Sequence, residues 1–183
     1  MKLSLGWGHL VYFDTDEHKI SDERVTLANI PNVGAEWKIT HEFKPTKYLQ
    51  PTDDHDAVSS ARRNRGPISF LVHLFGPGKK TLYICFPPAS MALKVQFKAF
   101  DTAHVATETR ELPIVGEWTK IEIAQEKEED GRLFLSLSVA GNLVGRELVE
   151  APTPDLAKVR ISCGSNSYEQ PGLIRRLVVL RKG

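Results

Sequence analysis

Between Leu112 and Leu143 the chain reads LPIVGEWTKIEIAQEKEEDGRLFLSLSVAGNL, and this stretch constrains the fold more than any other. After a Gly-Glu-Trp turn, Thr119, Ile121 and Ile123 alternate with Lys120 and Glu122. A charged turn then ends in Asp130-Gly131, a strong hairpin signal because glycine freely adopts the positive φ that tight hairpin turns require. The return strand sets Leu133, Leu135, Leu137 and Val139 on one face and Phe134, Ser136 and Ser138 on the other. Ala140-Gly141-Asn142 turns the chain again. Successive side chains of a strand point to opposite faces, so this alternation means one buried face and one wet face. It is the pattern of an antiparallel sheet in a sandwich.

The rest of the chain repeats the theme. HLVYF (residues 9–13), RVTLA (24–28), TLYICF (81–86), KVRISC (158–163) and LIRRLVVLRK (173–182) read as strands, and residues 144–149 supply another. In WKITHEF, Trp37, Ile39, His41 and Phe43 share one face, opposite Lys38, Thr40 and Glu42. ISFLVHLF (68–75) is apolar on both faces, which predicts a central strand. In MALKVQFKAF, Leu93, Val95, Phe97 and Ala99 alternate with Lys94, Gln96 and Lys98, and a short strand at 104–107 pairs with it. Residues 45–66 lack periodicity and form the longest loop. About a dozen short strands separated by turn residues predict an all-β fold, an antiparallel double-sheet jelly-roll β-sandwich. There is no internal repeat or second composition regime, so residues 1–183 are expected to form a single domain. A chain of 183 residues buries a sizeable core without staples.

Gly116, Trp118, Gly131, Gly141, Gly172, Ile174 and Leu177 carry a resemblance. Their order, EWT-K-IEI, DG-RLFLSLSVAGNLV, KVRISCGS and GLIRRLVVL, resembles the C-terminal half of concanavalin A-like and laminin-G-like jelly rolls. There a Gly-x-Trp opens a strand, a hairpin follows, and a last strand introduced by glycine runs back across the first. The resemblance also implies that WKITHEF and ISFLVHLF are paired early strands. Such domains bind glycans, proteins, lipids or steroids, so the scaffold alone does not choose a ligand.

Charge narrows the field. The formal net charge is +1, with 24 basic against 23 acidic residues, so no global field draws nucleic acid or anionic membrane. No interleaved aromatic platform for bases accompanies the arginines, and no apolar run approaches the ~20 residues of a membrane span. MKLSLGWGHLVYF contains Trp, His and Tyr without a small-residue cleavage site and does not read as a signal peptide. Cys85 and Cys163 sit in strand-like runs, at no metal or redox spacing, and read as two buried free thiols, with a single disulfide as the alternative.

Calcium requires several oxygen ligands, and sandwich domains often hold one at a sheet rim. Asp14 and Asp16, with Glu17 and His18 beside them, offer one set of loop carboxylates; Asp53, Asp54 and Asp56 offer another. Aspartate also favours turns for its own hydrogen bonding, which explains both stretches without an ion. None of the six histidines stands at zinc-ligand spacing from a second His or Cys; His41 and His73 read as core-edge strand residues with hydrogen-bonded ring nitrogens.

Glycan recognition needs aromatic rings for stacking and polar groups for the hydroxyls. Trp7, Tyr48, Trp118 and Tyr168 are the aromatic candidates, and Asn142, Asn166 and Asp101 the polar ones. Trp118 shares a face with Lys120 and Glu122 by alternation and so belongs on the outside or the rim. Core packing is the alternative for each ring. Arg62, Arg63 and Arg65 form one basic patch; Arg175, Arg176, Arg181 and Lys182 form another, suited to phosphate or sulfate groups. No paired-carboxylate strand motif, nucleophile elbow, phosphate loop or His-Glu-x-x-His pattern occurs, so no enzyme is expected. The expectation is a non-catalytic module that recognises carbohydrate through loops at the sandwich rim, extracellular, with a cytoplasmic location as the alternative. The alternative is a domain for binding an extracellular protein or for homo-oligomerisation.

Overall fold

The computed structural model describes residues 7–19, 25–31, 33–46, 69–75, 81–86, 94–99, 102–108, 114–149, 158–161 and 172–182. Thirteen strands occur among them: β1 (His9–Asp14), β2 (His18–Lys19), β3 (Val25–Asn29), β4 (Trp37–Pro45), β5 (Ser69–Phe75), β6 (Thr81–Phe86), β7 (Lys94–Ala99), β8 (Thr102–Glu108), β9 (Thr119–Lys127), β10 (Leu133–Val139), β11 (Asn142–Leu148), β12 (Lys158–Ile161) and β13 (Gly172–Arg181). They form two antiparallel sheets, as an all-β jelly-roll sandwich requires. The seven-stranded sheet runs β1-β13-β4-β9-β10-β11, with β2 also on β13. The six-stranded sheet runs β3-β12-β5-β6-β7-β8. No helix among the described residues is long and apolar enough to cross a membrane, which leaves β-barrel spans unaddressed.

Alternation sets the core. In β4, Trp37, Ile39, His41 and Phe43 are buried, while Lys38, Thr40, Glu42 and Lys44 are only partly so. Ile121 and Ile123 of β9, Leu135, Leu137 and Val139 of β10, and Ile174, Leu177 and Val179 of β13 join them, with Leu27 and Ala28 of β3 packed against the cluster. Each buried aliphatic or aromatic side chain contributes roughly 1.5–3 kcal/mol. A slip of one residue would send these side chains to water, so the register is strongly specified.

Three features differ from the sequence reading. β4 and β5 do not pair: β4 lies between β13 and β9, and β5 lies in the other sheet. The long segment between Pro45 and Ser69 lets the chain change sheets there. His41 is not a core-edge residue with hydrogen-bonded ring nitrogens. Its ring is 1% exposed, and neither nitrogen has a hydrogen-bond partner among the described residues. Burial pushes its pKa down from 6.5 to about 3, so the ring is neutral. Strand β2, too short to show a period, begins at His18, the last residue of the stretch read as a loop after β1. The final strand does run back across the first, β13 on β1, as the resemblance implied. β5 is an interior strand, between β12 and β6, and β8 pairs with β7.

Candidate functional site

The outward residues of the seven-stranded sheet form a charged field. β4 presents Lys38, Thr40, Glu42 and Lys44, and its neighbour β9 presents Lys120 and Glu122. Glu122 bonds Lys38 at 3.1 Å and Lys120 at 3.3 Å. Burial alone would raise the Glu122 carboxyl, but the two lysines outweigh it and hold it below the ordinary range. From Lys38 to Lys44 this stripe is about 20 Å long at strand rise.

Trp118 stands at one end of the stripe. The Glu117 amide donates to the Ile114 carbonyl at 3.1 Å, and the Gly116 amide donates to the Pro45 carbonyl at 2.8 Å. Gly116 adopts φ +83°, which a β-carbon would strain, so glycine permits this turn. The turn is thereby pinned to the end of β4, and Trp118 enters β9 two residues before Lys120, on the same outward register. Its partly buried ring lies 3.9 Å from the Arg175 guanidinium carbon and 4.8 Å from the Lys44 ammonium, measured to the ring centroid. Each such contact contributes about 0.5–1 kcal/mol at an exposed site. Asn142 belongs to the same end, because the Ala140 amide of its hairpin donates to the Lys120 carbonyl at 2.8 Å.

A bulge in β13 completes this end. The β13–β4 register shifts between Arg175 and Val178, and Arg176 adopts φ +52°. Arg175 Nε donates to one oxygen of Glu42 at 2.6 Å and Arg176 Nη1 to the other at 2.8 Å. Consecutive residues of a regular strand point to opposite faces; the extra residue of the bulge re-aims the second arginine. Burial would raise the Glu42 carboxyl, but the paired arginines hold it below the ordinary range.

Trp7 lies at the far end of the same face, its ring centroid 4.9 Å from the Lys38 ammonium. Beside it the surface turns apolar. Leu10 is 62% and Phe13 56% exposed, opposite Leu180 and Val178 across the β1–β13 pair. The sequence reading did not single out this edge: strict alternation would set Leu10 and Phe13 on opposite faces, and the register shift between Leu10 and Tyr12 leaves both exposed. Phe134 of β10 was read as outward and carries Arg146 at 4.1 Å and Arg132 at 5.5 Å from its ring centroid.

Asp14 and Asp16 stay together, but Asp14 is engaged. Its Oδ1 accepts from the Asp16 amide at 2.8 Å, and its Oδ2 accepts from Tyr12 Oη at 3.0 Å and meets His18 Nε2 at 2.7 Å. Burial would raise this carboxyl, yet these hydrogen bonds outweigh it and hold it low. Burial and the same carboxylate push Tyr12 up to about 12. Calcium at Asp14 would have to displace His18 and Tyr12, so this pair does not fit a calcium site by itself. Among the described residues no three of His, Cys, Asp or Glu converge as a metal-holding group. Asp53, Asp54, Asp56, Asp101, Asn166, Tyr168, Tyr48, Arg62, Arg63, Arg65 and Cys163 lie outside the described residues. The structure thus puts Trp118 and Asn142 at the same end of the sheet and Trp7 at the other. Lys44, Glu42 and Arg175 also belong at that end, which the sequence signalled only as outward positions and a basic pair.

No protein-family model and no curated relative matches the chain. Solved structures match it in fold. The receptor-binding domain of botulinum neurotoxin D superposes with TM-score 0.63 at 12% identity, covering 94% of this chain. The chain spans only 41% of that structure's length. Domain 4 of AbnA, an extracellular arabinanase from Geobacillus stearothermophilus solved with arabinotriose, gives 0.54 at 10% identity, covering 96% of this chain and 77% of the other. The endo-β-1,4-glucuronan lyase of Trichoderma reesei gives 0.56 at 10% identity, covering 98% and 92%. At such identities the likeness concerns the sandwich fold alone.

Proposed function

We propose that this chain is a non-catalytic carbohydrate-binding module of concanavalin A-like type, acting outside the cell as a single domain. Its binding surface is the Trp118 end of the outward face of the seven-stranded sheet. The observation that carries this reading is Trp118 itself. An indole on the outer register, held by Lys44 and Arg175 rather than packed into the core, offers an apolar ring flanked by hydrogen-bond donors. Sugars present that combination of apolar ring face and polar hydroxyl rim, and ligand sites pair aromatic surface with a few placed polar groups. Asn142 adds an amide on the neighbouring hairpin. Among the fold neighbours, one domain was solved with arabinotriose, and another is a receptor-binding domain. The lyase shows that this sandwich also hosts catalysis, so activity belongs in the test.

A glycan array probed with and without calcium tests the reading, together with product analysis on any polymer bound. Binding without turnover supports it. Turnover of a bound polymer would replace it with a hydrolase or lyase. The exposed apolar edge formed by Leu10 and Phe13 favours a second reading, docking of a protein or a second copy. Absence of glycan binding, with twice the monomer mass in light scattering, would favour that reading.

A further inference from the structure

Arg176 occupies its position at a backbone cost that burial of its side chain does not offset. A left-handed backbone costs a residue other than glycine roughly 1–2 kcal/mol, and Arg176 adopts it at φ +52°. Its side chain remains 61% exposed, so little burial offsets that cost. Backbone strain of this kind concentrates where side chains are aimed for function. Here the strain aims a second guanidinium at a carboxylate that already holds the first.

Among the described residues, positive charge is in excess beside Trp118. Lys44, Lys120, Arg175 and Arg176 gather there. Glu42 serves both arginines, and Glu122 is divided between Lys120 and Lys38. Glu117, next to Trp118 in the chain, adds one more negative charge without balancing four cations. Each guanidinium has several N–H donors, and Glu42 takes one from each. A planar guanidinium fork matches the oxygens of a carboxylate or a sulfate.

We propose that this end of the face selects acidic polysaccharide, sugar chains bearing carboxylate or sulfate groups. Trp118 packs on a sugar ring while Arg175, Arg176, Lys44 and Lys120 hold the acidic groups. The proposal rests on the carbohydrate reading above and narrows its ligand class.

The test measures binding to polyglucuronate, dextran sulfate, neutral dextran, neutral arabinan and polyglutamate, at low and high salt. Polyglucuronate and dextran sulfate separate carboxylate from sulfate, and polyglutamate supplies charge without sugar. The variants are Arg176→Asn, Arg176→Lys and, as a charge control at the opposite end of β13, Arg181→Gln. Asparagine tolerates the left-handed backbone, so Arg176→Asn should melt no lower than wild type.

The expected result is at least about tenfold tighter binding of one acidic polysaccharide than of dextran, arabinan or polyglutamate, weakening as salt screens the charges. Arg176→Asn should lose about tenfold, Arg176→Lys a smaller part because it keeps the charge without the fork, and Arg181→Gln almost none. Equal or tighter binding of a neutral glycan would overturn the acidic class and leave the carbohydrate reading standing. Equal binding of polyglutamate, or undiminished acidic-glycan binding by Arg176→Asn, would also overturn it. No binding to any of the sugars would remove both readings together.

Discussion

His41 makes the sharpest stability prediction. Its ring is 1% exposed in the middle of β4, and neither ring nitrogen has a hydrogen-bond partner among the described residues. Burial lowers its pKa from 6.5 to about 3. The folded value is depressed, so between those two values the unfolded chain binds the proton and the folded chain does not. Stability must then fall as pH drops from about 6.5 toward 3, and the slope is positive in pH. At pH 5, about 1.5 units below the unfolded value, the loss is about 2 kcal/mol relative to pH 8. That figure holds for any folded pKa well below 5. His41→Leu removes the titration and two ring nitrogens that have no partner among the described residues, while roughly keeping volume. Unpaired buried polar atoms each cost about 1–3 kcal/mol, so the variant should be more stable than wild type at pH 7.5, by roughly 1–2 kcal/mol after some loss of fit. Urea unfolding of both proteins at pH 5, 6, 7 and 8 provides the comparison, and their difference cancels the groups they share. The gap should widen by about 2 kcal/mol on acidification. A constant gap would mean that His41 protonates in the folded protein. A variant less stable at pH 7.5 would mean that its nitrogens are satisfied.

Gly172→Ala should destabilise by about 1–3 kcal/mol, because its β-carbon would stand 2.5 Å from Cε2 of the fully buried Phe43; thermal melting reads this, and an unchanged Tm would contradict the close β13–β4 packing. Ala140→Asn should stabilise by about 1 kcal/mol, since Ala140 (φ +51°) and Gly141 (φ +85°) form a two-residue hairpin loop whose first position asparagine prefers. A drop in Tm would refute that turn geometry. Leu135→Ala should cost about 2–5 kcal/mol in urea unfolding, and Ser136→Ala, on the wetter face, under about 1 kcal/mol. Equal losses would place the β10 register one residue out.

The sequence was most readable where one face is dry. Trp37, Ile39 and Phe43 alternate with Lys38, Thr40 and Glu42, and that period admits only one register against a core. The same rule put Trp118 outside with Lys120 and Glu122. Alternation names a face but not the neighbours on it, so the pairing of β4 with β13 and β9, rather than with β5, was not legible. Nor was it legible that the His41 nitrogens find no partner among the described residues, because the period says that a side chain is buried and nothing about what meets it. Asp14 reads as a loop carboxylate until β2 brings His18 onto it. The β13 bulge was hidden for a different reason. Arg176 is neither glycine nor asparagine, so its left-handed backbone carries no signal in the chain. The basic pair was visible, but its convergence on Glu42 depends on that bulge.

Trp118→Ala tests the central claim most directly, with binding and melting measured on the same protein. If Trp118 is a surface anchor for sugar, the variant should lose at least about tenfold in affinity for the glycan that wild type binds. Among the described residues two cation–π contacts, about 1–2 kcal/mol together, are removed with the ring, so Tm should fall by no more than about 8 °C. Undiminished affinity would contradict the account, and so would a collapse in stability large enough to make Trp118 a core residue.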